Sequence, residues 1–106
     1  MTRQVIIDGH KIRSLDDVHD LIAELPDVPE WYGRNLDALT DALDTMIEQP
    51  VEVRVLNASA LKKKLGRRYE ALMVALRDAV ENTKSESDRP VVTLVMEGPD
   101  PMQEVV

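Results

Sequence analysis

Between Asn35 and Pro50 four carboxylates recur at three- and four-residue spacing: Asp37, Asp41, Asp44 and Glu48. Wound into a helix at about 100° per residue, they fall in one stripe about 60° wide and ~16 Å long. Leu36, Leu39, Leu43, Met46 and Ile47 fall nearly opposite. The apolar face should therefore meet a core and the acids should face solvent. Carboxylates in this pattern can share acid and base roles, ligate a hard cation, or present an anionic surface. The first use needs a desolvated pocket that drives two pKa values apart, which a convex exposed helix does not supply. The second lacks the D-x-D-x-D-G loop of a calcium site. For the third, the competing explanation is an ordinary solvated face. Such faces usually alternate sign, because opposite charges at i,i+4 stabilise a helix. Here 37/41 and 44/48 are like-charge pairs at i,i+4, and 41/44 is one at i,i+3. Each costs roughly 0.2–0.5 kcal/mol, and Glu48 would also oppose the dipole at the helix C-terminus. A helix that retains about 1 kcal/mol of self-repulsion points to a cationic partner.

Other chemistries find little support. The chain has no cysteine, and Ser14, Ser59, Ser85 and Ser87 lie in caps or polar linkers. His10 and His19 both lie near the N-terminus, and nothing places either beside a serine. The four glycines are isolated, with neither G-x-G-x-x-G nor a P-loop. No catalytic residue, metal-ligand set or cofactor is expected. Trp31 and Tyr32 stand side by side on the loop that feeds the acidic helix, two of only three aromatic residues in the chain. They can cap the core locally, or they can anchor an interface, where aromatics beside charge are common.

The elements that position these groups follow from the hydrophobic pattern. Gln4–Asp8 holds the continuous run Val5-Ile6-Ile7, the mark of a strand buried on both faces. It is expected at the centre of the sheet. Ser14 opens a helix, with Asp17 placed as in a capping box, and Leu15, Val18, Ile22 and Leu25 in phase. Pro26 and Pro29 end it, and residues 26–33 read as a loop. Asn35 caps the acidic helix, which runs to about Glu48. Val51, Val53 and Val55 alternate with Glu52 and Arg54 as in a strand. Residues 57–59 cap a short helix through Leu65, closed by Gly66. Tyr69, Leu72, Leu76 and Val80 mark a longer one. Residues 82–89 are polar and break the pattern, and a third strand lies within residues 90–97. The order is β-α-α-β-α-α-β. It predicts an α/β fold, a single three-stranded parallel sheet with right-handed crossovers packed by three to four helices.

A chain of 106 residues suits one domain, here residues 1–97, followed by a frayed tail over 98–106. The balance of 20 acids against 13 Lys and Arg gives −7. That argues against a nucleic-acid or anionic-membrane surface, which needs the opposite sign. Ser14–Glu48 carries ten acids and a single base, Arg34, a local −9, so the remainder sums to +2. Lys62, Lys63, Lys64, Arg67 and Arg68 supply much of the positive side. No 18-residue apolar run exists, and the N-terminus lacks a signal-peptide pattern. An acidic, cytoplasmic protein, monomeric when free, is the expectation.

The segment Pro29-Glu30-Trp31-Tyr32-Gly33-Arg34-Asn35-Leu36-Asp37-Ala38-Leu39-Thr40-Asp41-Ala42-Leu43 resembles the barstar family, intracellular inhibitors of secreted microbial ribonucleases. It is similar to that family's P-x-[YW]-Y-G-x-N-L-D-A-L-x-D-x-L signature, and the likeness extends more weakly over residues 4–97. The resemblance implies a three-stranded parallel sheet with helices. It also implies a stoichiometric, non-enzymatic inhibitor that plugs a basic ribonuclease with the second helix and the loop before it. Asp41 would occupy the pocket for the substrate phosphate, facing the enzyme's Arg, Lys and His, with Asp37 beside it. By position, Trp31, Tyr32, Gly33, Asn35, Leu36, Ala38, Thr40, Asp44, Met46 and Asp78 carry over as contacts. Trp31 replaces the commoner Tyr. Thr40 and Met46 stand where the best-known member has tryptophans, and Asp44 adds charge. An acidic immunity or adaptor protein that binds a basic non-nuclease partner is the alternative. A metal-dependent hydrolase using Asp37 and Asp41 is a more distant one.

Overall fold

A computed structural model describes residues 3–85 and 90–97, except for the side chain of Met46. Three strands, β1 (Arg3–Asp8), β2 (Val51–Leu56) and β3 (Val92–Glu97), form one parallel sheet in the order β1-β2-β3. Helices α1 (Leu15–Ala23) and α2 (Leu36–Asp41) make the first crossover. A π-helical turn, Ala42–Met46, continues α2. Helices α3 (Ala58–Leu65) and α4 (Arg67–Lys84) make the second. Parallel neighbours need such crossovers, since a tight turn cannot return the chain to the same end of the sheet.

The central strand is β2, not β1 as the apolar run suggests. The reason lies in which faces are covered. Val5, Ile7, Val51, Val53, Val55 and Val92 join the helices in a single core, while the intervening positions are more open. Ile6, in the middle of the apolar run, is 46% exposed. Charged Glu52 and Arg54 fit a central strand because Arg54 pairs across the open face with Glu52 and Glu97, both at 2.8 Å.

The helices bury residues at three- and four-residue spacing: Val18, His19 and Ile22 on α1, and Leu72, Met73, Leu76, Ala79 and Thr83 on α4. Each fully buried aliphatic side chain stabilises the fold by about 1.5–3 kcal/mol. Thr83 extends α4 beyond the point where polarity suggests a break. Its hydroxyl donates to the Val80 carbonyl and accepts the Val92 N–H, which ties the end of α4 to the start of β3. At Gly9 a Cβ would lie 2.2 Å from the Asn57 carbonyl oxygen, so only glycine lets β1 pass the start of α3. The tail over 98–106 lies outside the described residues, as do residues 86–89 of the polar linker.

Candidate partner-binding face

Asn35 begins α2 as expected: its side chain accepts the Ala38 N–H at 2.8 Å. Ser14, by contrast, makes no side-chain cap, and the Asp17 carboxylate accepts instead from the Arg13 N–H. Along α2 and the π-helical turn that continues it, Leu39, Ala42 and Leu43 are fully buried. Asp37 and Asp41 face solvent as the pattern requires, while Leu36 is only half-buried.

The stripe then departs from an α-helical projection. The turn at Ala42–Met46 closes with π geometry, so each residue advances by a smaller angle than in an α-helix. The Thr45 hydroxyl donates to the Asp41 carbonyl at 2.7 Å, a side-chain bond that competes with the helical ladder here. Asp44 is half-buried rather than free, and its carboxylate accepts from the Asn82 amide on α4 at 3.0 Å. Ile47 is already extended, with ψ 144°, so Glu48 lies beyond the helix and outside the stripe. The described peptide bonds, Gln49–Pro50 included, are all trans. Among the described residues no cation pairs with Asp37, Asp41, Asp44 or Asp78. Asp78 is exposed on α4, across a shallow notch from Asp37, and Leu36 and Thr40 line the same notch.

The loop between α1 and α2 separates its two aromatics. Trp31 is 72% exposed, whereas Tyr32 is buried. The Tyr32 hydroxyl meets His19 Nδ1 on α1 at 2.6 Å. Burial pushes the Tyr32 phenol up to about 12, so it keeps its proton. Burial, helped by the charge of Arg34, holds His19 below its usual range, which favours the neutral ring. A protonated phenol and a neutral imidazole can pair here as one donor and one acceptor.

Two further residues fasten this loop. Arg34 adopts φ 53° and reaches back to the carboxylates of Asp16 and Asp20 on α1, at 3.0 and 2.8 Å. Asp27 accepts from Arg3 at the start of β1 and from the Glu48 N–H. These bonds hold its carboxyl below the ordinary range, the backbone N–H contributing most. Gly33 is exposed, and a Cβ there would press on the Ala38 methyl at 3.3 Å. Residues 31–35 are therefore presented on a loop pinned at both ends, which leads into α2.

His19, Asp27 and Arg34, which position this loop, are not among the site residues expected from the sequence. Arg34 carried a signal, as the only base in a −9 segment. His19 carried one too, sitting in phase with Val18 and Ile22 on the buried face of α1. Asp27 carried none, because its partners are distant in sequence. Among the described residues there is no group of three or more His, Cys, Asp or Glu that could hold a metal ion. No helix among them is long and apolar enough to cross a membrane.

The fold is thus a three-stranded parallel α/β domain in which a pinned, aromatic-bearing loop leads into a helix whose exposed acids have no cationic partner among the described residues. The chain belongs to the barstar family: the family model, described as "Barstar (barnase inhibitor)", matches residues 2–96. The chain is also 32% identical over 84 residues to a Bacillus subtilis (strain 168) protein named "Putative ribonuclease inhibitor YrdF". That match covers 79% of this chain and 92% of the relative.

Proposed function

We propose that this protein is a stoichiometric inhibitor of a basic secreted ribonuclease and protects the cytoplasm in which it is made. The observation that carries the reading is the pair Asp37 and Asp41, solvent-facing and without a cationic partner among the described residues, on a helix that a pinned loop leads into. A ribonuclease active site gathers cations around the scissile phosphate. The carboxylate of Asp41 supplies the anion that such a site is built to hold, and Asp37 adds to it at the rim. Trp31 gives an apolar anchor next to this charge. Gly33, Asn35, Leu36, Ala38, Thr40, Asp44, Met46 and Asp78 complete the proposed contact set. Tyr32, buried against His19, serves this set from within as the tether of the loop. Occlusion needs no bond making, so no residue acts as an acid, base or nucleophile.

The test is capture from the secreted proteins of the producing organism, followed by a ribonuclease assay of the captured protein. The expected result is a small basic ribonuclease whose activity falls to zero at one equivalent of inhibitor. A captured basic protein with no ribonuclease activity would replace this reading with that of an acidic immunity protein for another toxin.

A further inference from the structure

Strand β3 lies at an edge of the sheet. The Val51 N–H donates to the Val91 carbonyl, and the Asn57 N–H donates to the Glu97 carbonyl. A parallel ladder uses alternate residues, so Thr93 and Val95 turn their backbone groups to β2, while Val92, Leu94 and Met96 turn theirs outward. The Val92 N–H is taken by the Thr83 hydroxyl at 3.0 Å. The outward N–H and C=O groups of Leu94 and Met96 have no partner among the described residues. Native edges are usually blunted by a proline, a lysine, a bulge or a covering element. Residues 92–96, VTLVM, contain no proline, glycine or charge. Between this edge and α4 runs a groove of about 390 Å³, lined by Val80 and Leu94 and rimmed by Arg77, Glu81 and Lys84. The other edge is closed at one end, where the Asp8 carbonyl of β1 accepts from the Lys11 and Ile12 N–H groups.

We propose that β3 pairs with β3 of a second copy of this chain, antiparallel about a two-fold axis at Val95. Under that symmetry Leu94 of each copy faces Met96 of the other. Residues opposed in this way exchange two N–H···O=C bonds, so the two pairs make four bonds, drawn only from the groups that lack a partner. An axis at Leu94 would instead set Met96 against Val92, whose N–H already belongs to Thr83. Any extended chain could meet the backbone; the side chains select a second copy. On the open face of the sheet the two-fold sets Val95 against Val95, in a pair where side chains come closest. It sets Thr93 against Glu97 at both ends, a hydroxyl donor opposite a carboxylate acceptor. On the α4 face, Met96 of the second copy lies beside Leu94 and covers the groove. The strand is thus complementary to itself, as an isologous contact requires. A paired edge is a small interface, so the dimer is a weak one and replaces the expected monomer only as concentration rises. The α4 residues at this groove differ from Ala71, Val74, Ala75 and Asp78, which face α2. Each copy therefore keeps its acidic face free, and the proposal does not rest on the inhibitor reading.

The experiment is sedimentation equilibrium of the full chain over a concentration series, with amide hydrogen exchange read on the same samples. The mass should rise from 12.0 kDa toward twice that value. The Leu94 and Met96 amides should gain protection with concentration, while those of Thr93 and Val95, bonded to β2, stay protected throughout. Thr93→Asp sets a carboxylate against Glu97 at both ends and should weaken the dimer by about tenfold. Thr93→Lys sets a cation there and should tighten it. Thr93 is exposed, so both variants leave the core untouched. A chain that stays at 12.0 kDa up to about 1 mM overturns the proposal. So does a dimer that responds alike to both variants, or one that forms with no change at the Leu94 and Met96 amides. Protection of those two amides at every concentration, without a dimer, would show the edge to be covered from within the chain and would overturn it as well.

Discussion

The Tyr32 hydroxyl lies 2.6 Å from His19 Nδ1 inside the core, while its neighbour Trp31 points out and is 72% exposed. The adjacent aromatics thus have separate roles, since Tyr32 fixes the loop and Trp31 is offered from it. Tyr32→Phe strands a buried ring nitrogen and should cost about 1–3 kcal/mol of stability. Trp31→Ala should change stability by less than ~0.5 kcal/mol and still weaken inhibition by more than ~1 kcal/mol. Urea unfolding and inhibition constants on both variants check this separation. The reverse pattern would contradict it.

The same pair predicts an acid sensitivity. Burial first, and then Arg34, hold His19 below its ordinary 6.5 in the folded state. The unfolded chain therefore binds a proton more readily in the window just below pH 6.5. Stability is full above that window and falls as the pH drops through it toward the folded-state value. Asp8, held down chiefly by the Asn57 side chain, and Asp27 add a second loss once the pH falls below 3.8. Chemical denaturation at a series of pH values should show both steps, and His19→Gln should abolish the upper one alone.

Asp27 and Arg34 pin the loop in unequal ways. Asp27 is well covered and bonds a strand residue and a backbone N–H together. Arg34 reaches two exposed carboxylates through solvent-facing contacts, and such pairs contribute little. Asp27→Ala should lower the thermal midpoint well below that of Arg34→Ala. Equal midpoints would mean that the Asp27 clamp carries no weight.

How far the sequence could be read depended on the period of each segment. The order of the elements, the parallel sheet and the cap at Asn35 follow from periodicity and capping chemistry. The position of β1 did not, because Val5-Ile6-Ile7 reads as a strand covered twice, whereas one face of this sheet stays open and leaves Ile6 exposed. The π turn was invisible, since no composition marks it, and with it went the true positions of Asp44 and Glu48. Trp31 and Tyr32 could not be told apart, as a loop has no period that assigns faces. Only the distant partner His19 separates them.

Long-range charge should govern how quickly the complex forms. A −9 segment meeting a basic enzyme should associate faster than the ~10⁵–10⁶ M⁻¹s⁻¹ of neutral pairs, a contrast documented in part on this family's own complex. Stopped-flow association rates should fall steeply as salt is raised from low to high. A flat rate would show that the segment's charge does not recruit the partner.

The most direct test of the phosphate-mimic reading compares Asp41→Ala with Glu48→Ala against the captured ribonuclease, reading an inhibition constant and a thermal midpoint for each. Removing Asp41 strands the enzyme's active-site cations and should cost roughly 2–5 kcal/mol of binding or more, a range set partly by this family's own complex. Glu48, beyond the end of the helix and exposed, should cost under ~1 kcal/mol. The Asp41→Ala midpoint should not fall, because the change relieves repulsion from Asp37. A larger loss of inhibition for Glu48→Ala, or a loss for Asp41→Ala that merely follows unfolding, would contradict the assignment of Asp41 as the phosphate mimic.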